Sequence, residues 1–472
     1  METLTQTRGT AGEEVKVPAS KNSAEEIFAT ARARELALSR LLMAYIATGL
    51  LFMLFPGTLL GVWNLLQISG RESVGLISPA WLQAHGHAQV FGWIGSFLLG
   101  IGSYSIPKLR GAATQAIRAA WVCWALWTIG VAVRWGATVY LWNWRVLLPV
   151  SGILELAAFL IFFGVISQHR PQNSGRPNAA GSSRLEPWIF VVLSATLGFL
   201  AALGANLAGS IYVALRSDTP AFPHLFDQRY LALMGWGFLV PFVWGFSAKW
   251  LRTFLGLKPL RHGILLSALA INWIGIVLAI AGQLSFATWF FVASTALAIL
   301  AIRVFEPSEN PAKTKGVHSS FPWFVRLAYG WLLVAAVLGV AARVWDTSGG
   351  IWGASRHALT VGFISIMVLS IGQRILPAFA GMRLLWSTKL MFAGLLLLSV
   401  GCALRVSCEV LAYQGYAAWA WSVLPGSALL ELAGLTAFAI NILGTFLLQP
   451  SHVSNQPVVV GIPELLAQEP RH

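Results

Sequence analysis

Charged side chains are scarce in this chain. Asp, Glu, Lys and Arg make up 11% of its 472 residues, against roughly 25% in an ordinary soluble domain. So little charge cannot give a globule a hydrated surface, which excludes a water-soluble enzyme or binding module. Acidic residues are fewer still, 18 against 32 Lys and Arg. The three cysteines, Cys123, Cys402 and Cys408, all sit inside apolar runs. They form no disulfide framework, zinc pattern or covalent haem-attachment motif, and read as small buried apolar side chains. The segment before Leu38 also lacks the short apolar core and small-residue cleavage site of a signal peptide.

Apolar residues are abundant, at 57% of the chain, and they come in long blocks. A helix needs about 20 of them to cross the hydrocarbon of a bilayer. Such blocks run near 38–62, 79–104, 117–140, 146–168, 187–215, 229–250, 261–282, 286–305, 322–345, 354–378, 388–412 and 419–448. The expectation is an all-α membrane protein of about twelve transmembrane helices in one bundle over 38–448. It is flanked by a polar N-terminal tail, 1–37, with a short surface helix after about Ser23, and a solvated C-terminal tail, 449–472.

The net charge is +14, and its placement points to the membrane rather than to nucleic acid. Arg8, Lys16, Lys21, Arg32, Arg34 and Arg40 precede the first span. The loops after even-numbered spans carry Lys108, Arg110 and Arg118, then Arg170, Arg176 and Arg184, then Lys249, Arg252, Lys258 and Arg261, then Arg303, Lys313, Lys315 and Arg326, then Arg374, Arg383 and Lys389. The opposite face has only Arg71, Arg145, Arg216, Arg229 and Arg356. By the positive-inside rule both tails lie in the cytoplasm.

An internal repeat emerges next. The second span opens with AHGHAQVFGW and the tenth with SRHALTVGF. Setting His87 on His357 brings Gly92 onto Gly362, Pro107 onto Pro377 and Gly111 onto Gly381 without a gap. The sixth span joins with Tyr230 at the histidine position and Gly235 at the glycine. PVSGILELAAF and PGSALLELAGL pair Glu155 with Glu431, and GVAVR and GCALR pair Arg134 with Arg405. The chain reads as three parallel units of four helices, unlike the inverted repeats of many transporters.

Nine histidines are present. His169, His262, His318, His452 and His472 fall in or beside cytoplasmic loops or the C-terminal tail and read as solvated. His85, His87, His224 and His357 all fall at the outer ends of even-numbered spans. Imidazole ligates haem iron, copper and zinc, and polar groups in lipid are costly and tend to be functional. His87 with His357, matched by the repeat, are the leading cofactor ligands, with His85 and His224 as further metal-ligand candidates. His85 and His87 point about 200° apart on a helix, so they serve two cofactors, or one ligand and one hydrogen-bonding role. Glu155 and Glu431 fall near mid-membrane, with Arg134 and Arg405 toward the outer half. Two roles fit these charges: neutralising haem propionates, or forming Arg–Glu pairs that hold helices together. Tryptophans at span ends (Trp63, Trp142, Trp144, Trp188, Trp352 and Trp386) suit an interfacial aromatic belt, and Gly198, Gly204 and Gly209 suit close helix packing.

AHGHAQVFGW, RYLALMGWGFLVPFVWGFSAKWL and RHALTVGFISIMVLSIGQRILPAFAGMR together resemble the signature regions of the NnrS family. The resemblance implies a twelve-helix membrane protein of the bacterial inner membrane that contains haem, of the b type, and copper, and acts in nitric oxide exposure, denitrification and nitrosative stress. It implies His87 and His357 as haem ligands, with His85 and His224 as further metal ligands. The three-unit plan is also similar to the catalytic subunit of haem–copper oxidases and nitric oxide reductases. That family carries a His-x-His pair on its tenth helix and a histidine pair on its seventh. Here the tenth has only His357, with Ser355 two residues before it, and the seventh has only His262 at its cytoplasmic end. The oxidase copper site therefore cannot be assembled from the same positions. Beside a haem protein that handles nitric oxide stand two alternatives: a transporter of a small solute, haem or metal, and a divergent nitric oxide reductase-like oxidoreductase. The last would need a partner as electron donor, since the chain has no cytochrome c motif.

Overall fold

The computed structural model describes residues 21–71, 75, 77–109, 117–167 and 186–451. His169, His452, His472, Arg8, Lys16, Arg110, Gly111, Arg170, Arg176 and Arg184 lie outside the described residues. Within them the chain forms helices and no strand. Helix α1 runs Lys21–Phe52, passes through a π-helical stretch, Met53–Leu59, and continues over Leu60–Arg71. Helix α2 is Pro79–His87, π-helical Ala88–Gly95 and Ser96–Leu109. Then follow α3 (Ile117–Val139), α4 (Trp144–Ser167) and α5 (Pro187–Arg216). Helix α6 joins His224–Ala232, π-helical Leu233–Leu239 and Val240–Leu255. Next come α7 (His262–Ile280), α8 (Leu284–Ile302) and α9 (Phe321–Trp345). Helix α10 joins Gly350–His357, π-helical Ala358–Ser365 and Ile366–Phe379, and α11 (Thr388–Tyr413) and α12 (Ala420–Leu448) close the chain.

Among the described residues, eleven helices are long and apolar enough to cross a membrane, and α2 completes the expected dozen. The expected surface helix near Ser23 is not separate: α1 begins at Lys21 and runs unbroken into the first span. Helix α6 likewise starts at His224, ahead of the apolar block at 229. Hydropathy registers only the part that meets hydrocarbon, while polar turns extend a helix beyond it.

Consecutive helices pack side by side, α3 with α4, α7 with α8 and α11 with α12 most extensively, and α12 returns against α1. Of those eleven, α6 and α10 are the most enclosed, with 78% and 72% of their apolar stretch buried, against 56% for α1 and 33–44% for α3, α4, α5, α7, α8, α9, α11 and α12. The peripheral helices thus turn much of their surface outward, as lipid contact requires.

The π-helical stretches express the triplication. They begin directly after His87, three residues after Tyr230 and directly after His357. A π turn widens the helix and disturbs its hydrogen-bond ladder, and such turns occur frequently at functional sites. Side chains reach back to the carbonyls of these stretches. Trp127 Nε1 donates to Phe91 O at 3.1 Å, Asn272 Nδ2 to Trp236 O at 2.7 Å, and Ser365 Oγ to Thr360 O at 2.8 Å. In α1 the stretch contains Pro56, which lacks an N–H and clashes with the carbonyl four residues back. Thr58 Oγ1 there donates to Met53 O at 2.7 Å.

Glycines set the closest helix approaches. A Cβ on Gly198 of α5 would lie 2.0 Å from Gly237 O in the π stretch of α6, and one on Gly209 would lie 2.7 Å from the Phe226 ring. Gly204 has open space around it, so it is not a packing position as Gly198 and Gly209 are.

Two buried histidine clusters

His85 and His87 both lie on the last α-helical turn before the π stretch of α2 and face opposite ways. His87 is buried and donates Nε2–H to Glu155 Oε1 of α4 at 2.8 Å. The other Glu155 oxygen accepts from Asn206 Nδ2 of α5 at 3.0 Å. The imidazole stacks on Phe91, with centroids 4.4 Å apart. Arg134 of α3 donates to Ser210 Oγ at 3.0 Å and lies over the Phe222 ring at 4.9 Å. It is within electrostatic reach of Glu155, Tyr230 and Asp227. Tyr230, at the repeat's histidine position, is buried, and its hydroxyl has no hydrogen-bond partner among the described residues. This first cluster, built from α2 to α6, satisfies the Glu155 carboxylate with two hydrogen bonds and sets Arg134 within electrostatic reach of it, as a low-dielectric interior demands.

The second cluster joins α1, α2, α10, α11 and α12. His85 Nδ1 lies 2.8 Å from Gly57 O in the π stretch of α1, and Gly61 leaves room for its ring, since a Cβ there would meet His85 Cε1 at 2.6 Å. His357 Nδ1 lies 3.0 Å from Gly353 O and 3.0 Å from Glu409 Oε2 of α11. Arg405 Nε lies 3.3 Å from the same Glu409 oxygen. His85 is within electrostatic reach of His357 and Arg405, and Arg356 within reach of Glu409 and Asp227. Glu431 shares this cluster, and its buried Oε1 has no hydrogen-bond partner among the described residues.

The protonation pattern of the two histidines follows from their partners. A carbonyl oxygen only accepts, so Nδ1 of both His85 and His357 carries the proton. In the neutral ring Nε2 is then a bare lone pair, the form in which imidazole ligates a metal. His87 is the reverse case, its Nε2 being committed to Glu155.

The structure therefore brings His85, His357, Arg405 and Glu431 into one cluster and His87, Arg134, Glu155 and Tyr230 into the other. It joins neither Arg134 nor Arg405 to its expected glutamate by an ion pair: Glu155 takes His87 and Asn206, and Arg405 takes Glu409. His224 stands apart, exposed at the start of α6 with Gln228 Nε2 at 2.9 Å from its Nε2. Glu409 and Asn206 were not singled out from the sequence. Arg405 and Glu409 are spaced one helical turn apart, which would have paired them, whereas Asn206 carried no local signal.

Haem fits the second cluster. Two imidazoles, on α2 and α10, each hold Nδ1 on a backbone carbonyl and leave Nε2 without a partner among the described residues, and Arg356 is a further cation of the cluster that could meet a propionate. A copper centre does not fit. Among the described residues no three of His, Cys, Asp and Glu converge as a metal cage, His224 is at the surface, and the cysteines are buried and separate.

A family model described only as a domain of unknown function, DUF8744, matches residues 251–443. No curated protein matches the chain. Among solved structures it is similar to one described as a heme-copper terminal oxidase dimer, with TM-score 0.64, 10% identity, and coverage of 89% of this chain and 86% of that one. At such identity the likeness is one of fold: this is a multi-pass, all-helical membrane protein with a heme-copper oxidase-like arrangement of helices.

Proposed function

We propose that the protein is a membrane haemoprotein of the oxidoreductase type, whose haem is held between His85 of α2 and His357 of α10. The observation that carries this is the matched state of the two imidazoles, Nδ1 on a backbone carbonyl and Nε2 free. The oxidase-like fold of the neighbour supports it. Bound there, haem supplies one-electron transfer. His85 and His357 would hold the iron through Nε2, and their Nδ1–H bonds to Gly57 O and Gly353 O would fix ring orientation and raise donor strength. Arg356 and Arg405 neutralise carboxylates at the same level. The carbonyl of Gly57 and the notch at Gly61 hold the His85 ring upright.

Nitric oxide is the substrate or ligand that the motif resemblance supports. Its reduction to nitrous oxide consumes electrons and protons, so a donor protein would have to dock. The charge asymmetry supports cytoplasmic tails, which would put both clusters toward the outer half, and the motif resemblance supports a bacterial inner membrane. A transporter draws less support, because among the described residues the four helices with π turns, α1, α2, α6 and α10, run on through them, unlike the broken half-helices that carry solute in many transporters.

Optical spectra of the purified protein test the proposal. Wild type should show a Soret band that His85→Ala and His357→Ala each abolish. Wild type purified from haem-replete cells without haem would overturn it.

A further inference from the structure

The repeat leads one to expect each unit's histidine to meet the carboxylate of its own fourth helix. Unit one obeys, with His87 on Glu155. Unit three does not: His357 meets Glu409 of α11, while Glu431, the repeat mate of Glu155, keeps an unpartnered Oε1. The position matching Glu409 in unit one is Thr138, whose hydroxyl merely bonds its own helix backbone at Arg134 O, 2.9 Å away. A carboxylate has thus been placed on α11 only where the histidine presents a free Nε2.

Its place is built by the backbone. A Cβ on Gly353 would lie 2.2 Å from Glu409 Oε1, and one on Gly350 would lie 2.3 Å from Tyr413 Cβ. Two glycines on one face of α10 let α11 come close enough for the Glu409 carboxylate to fill the notch beside His357. Arg405, one turn earlier on α11, holds that carboxylate from the other side at 3.3 Å. The carboxylate is 5% exposed as a residue and has no solvent route to satisfy its charge.

We propose that Glu409 is the positioning residue of the His357 ligand: the Nδ1 proton goes to Gly353 O, and the Glu409 carboxylate, 3.0 Å from the same nitrogen, sets its negative charge against the ring, fixes its orientation and so favours the oxidised iron. This rests on the haem site proposed above. A carboxylate on the distal ring nitrogen raises ligand basicity, and donor strength at an axial position sets haem potential. His85, held by a backbone carbonyl alone, is the weaker donor, so the two axial ligands are unequal by construction.

The test uses the intact haem-loaded protein in detergent, read by redox titration and by electron paramagnetic resonance of the oxidised form. Glu409→Gln should keep haem, raise the midpoint potential and shift the g-values, because the amide removes the negative charge 3.0 Å from the His357 ring. Glu409→Asp, which retains the charge but withdraws it, should move both in the same direction by less, and serves if the glutamine variant does not fold. Glu155→Gln, in the other cluster, should leave the g-values of wild type. A haem-loaded Glu409→Gln protein with wild-type potential and g-values would overturn the assignment while leaving the haem site standing. Wild type without haem would instead overturn the site itself.

Discussion

Two residues apart on α2, His85 and His87 divide the interior between them. One turns Nδ1 to Gly57 O at 2.8 Å and the other turns Nε2 to Glu155 Oε1 at 2.8 Å. The same short motif therefore presents an imidazole held on a backbone carbonyl to one cluster and a hydrogen bond to a buried carboxylate in the other.

Their substitutions should separate. His87→Ala should retain haem, whereas His85→Ala should lose it. Pyridine haemochrome content per mole of purified protein makes the comparison, and equal haem loss in both would refute the division of roles.

Glu155 should matter to stability rather than to haem. It is fully buried, with His87 and Asn206 on its two oxygens. Replacing it with Ala strands both partners, and breaking a buried pair in this way costs about 3–5 kcal/mol. Thermal unfolding in detergent should show a large drop for Glu155→Ala. Glu186→Gln, which removes an exposed pair with Lys249, should cost under about 1 kcal/mol.

Gly198 and Gly204 make a matched pair on α5. A Cβ at Gly198 would lie 2.0 Å from the backbone oxygen of Gly237, whereas Gly204 has nothing near it. Backbone cannot yield as a flexible side chain can, so Gly198→Ala should abolish folded protein in membranes. Gly204→Ala should express as wild type, and size-exclusion chromatography distinguishes the two.

The loop after α8 carries a pH-dependent clasp. The hydrogen bond from Arg303, at 2.6 Å, holds the Glu306 carboxyl down to about 2, with a further bond from Lys258 and the nearby charge of Arg261 assisting. A carboxyl depressed in the folded state adds stability that is full above its unfolded value, about 4.3, and is lost as pH falls from there toward 2. Glu306→Gln should therefore melt slightly below wild type at pH 7, and the gap should narrow below about pH 4 and close toward pH 2. A gap that widens on acidification would contradict the clasp.

Much of the architecture was legible in the chain. Apolar blocks marked the helices because hydrocarbon imposes length and composition on any span. The alignment of His87 with His357 and of Tyr230 between them foretold three units, and the π stretches after those positions bear it out. The site was legible in its parts and not in its pairing. His85 and His357 share a cluster although the repeat joined His87 to His357, since a repeat reports ancestry of position and not the direction in which a side chain points. The Gly353 notch, which admits Glu409, likewise depends on the separation of α10 and α11, about which local pattern says nothing.

The sequence by itself determined the solvent, the number of helices and the set of polar residues left in the interior, because burying charge in lipid is so costly that few positions bear it. Only the tertiary structure decided which of those residues meet. Hydrogen bonds of 2.8 Å require particular helix rotations and close approaches, and these arise from packing among helices far apart in the chain. In this protein that packing, through Gly57, Gly61, Gly353 and the widened turns, turned two adjacent histidines to opposite clusters.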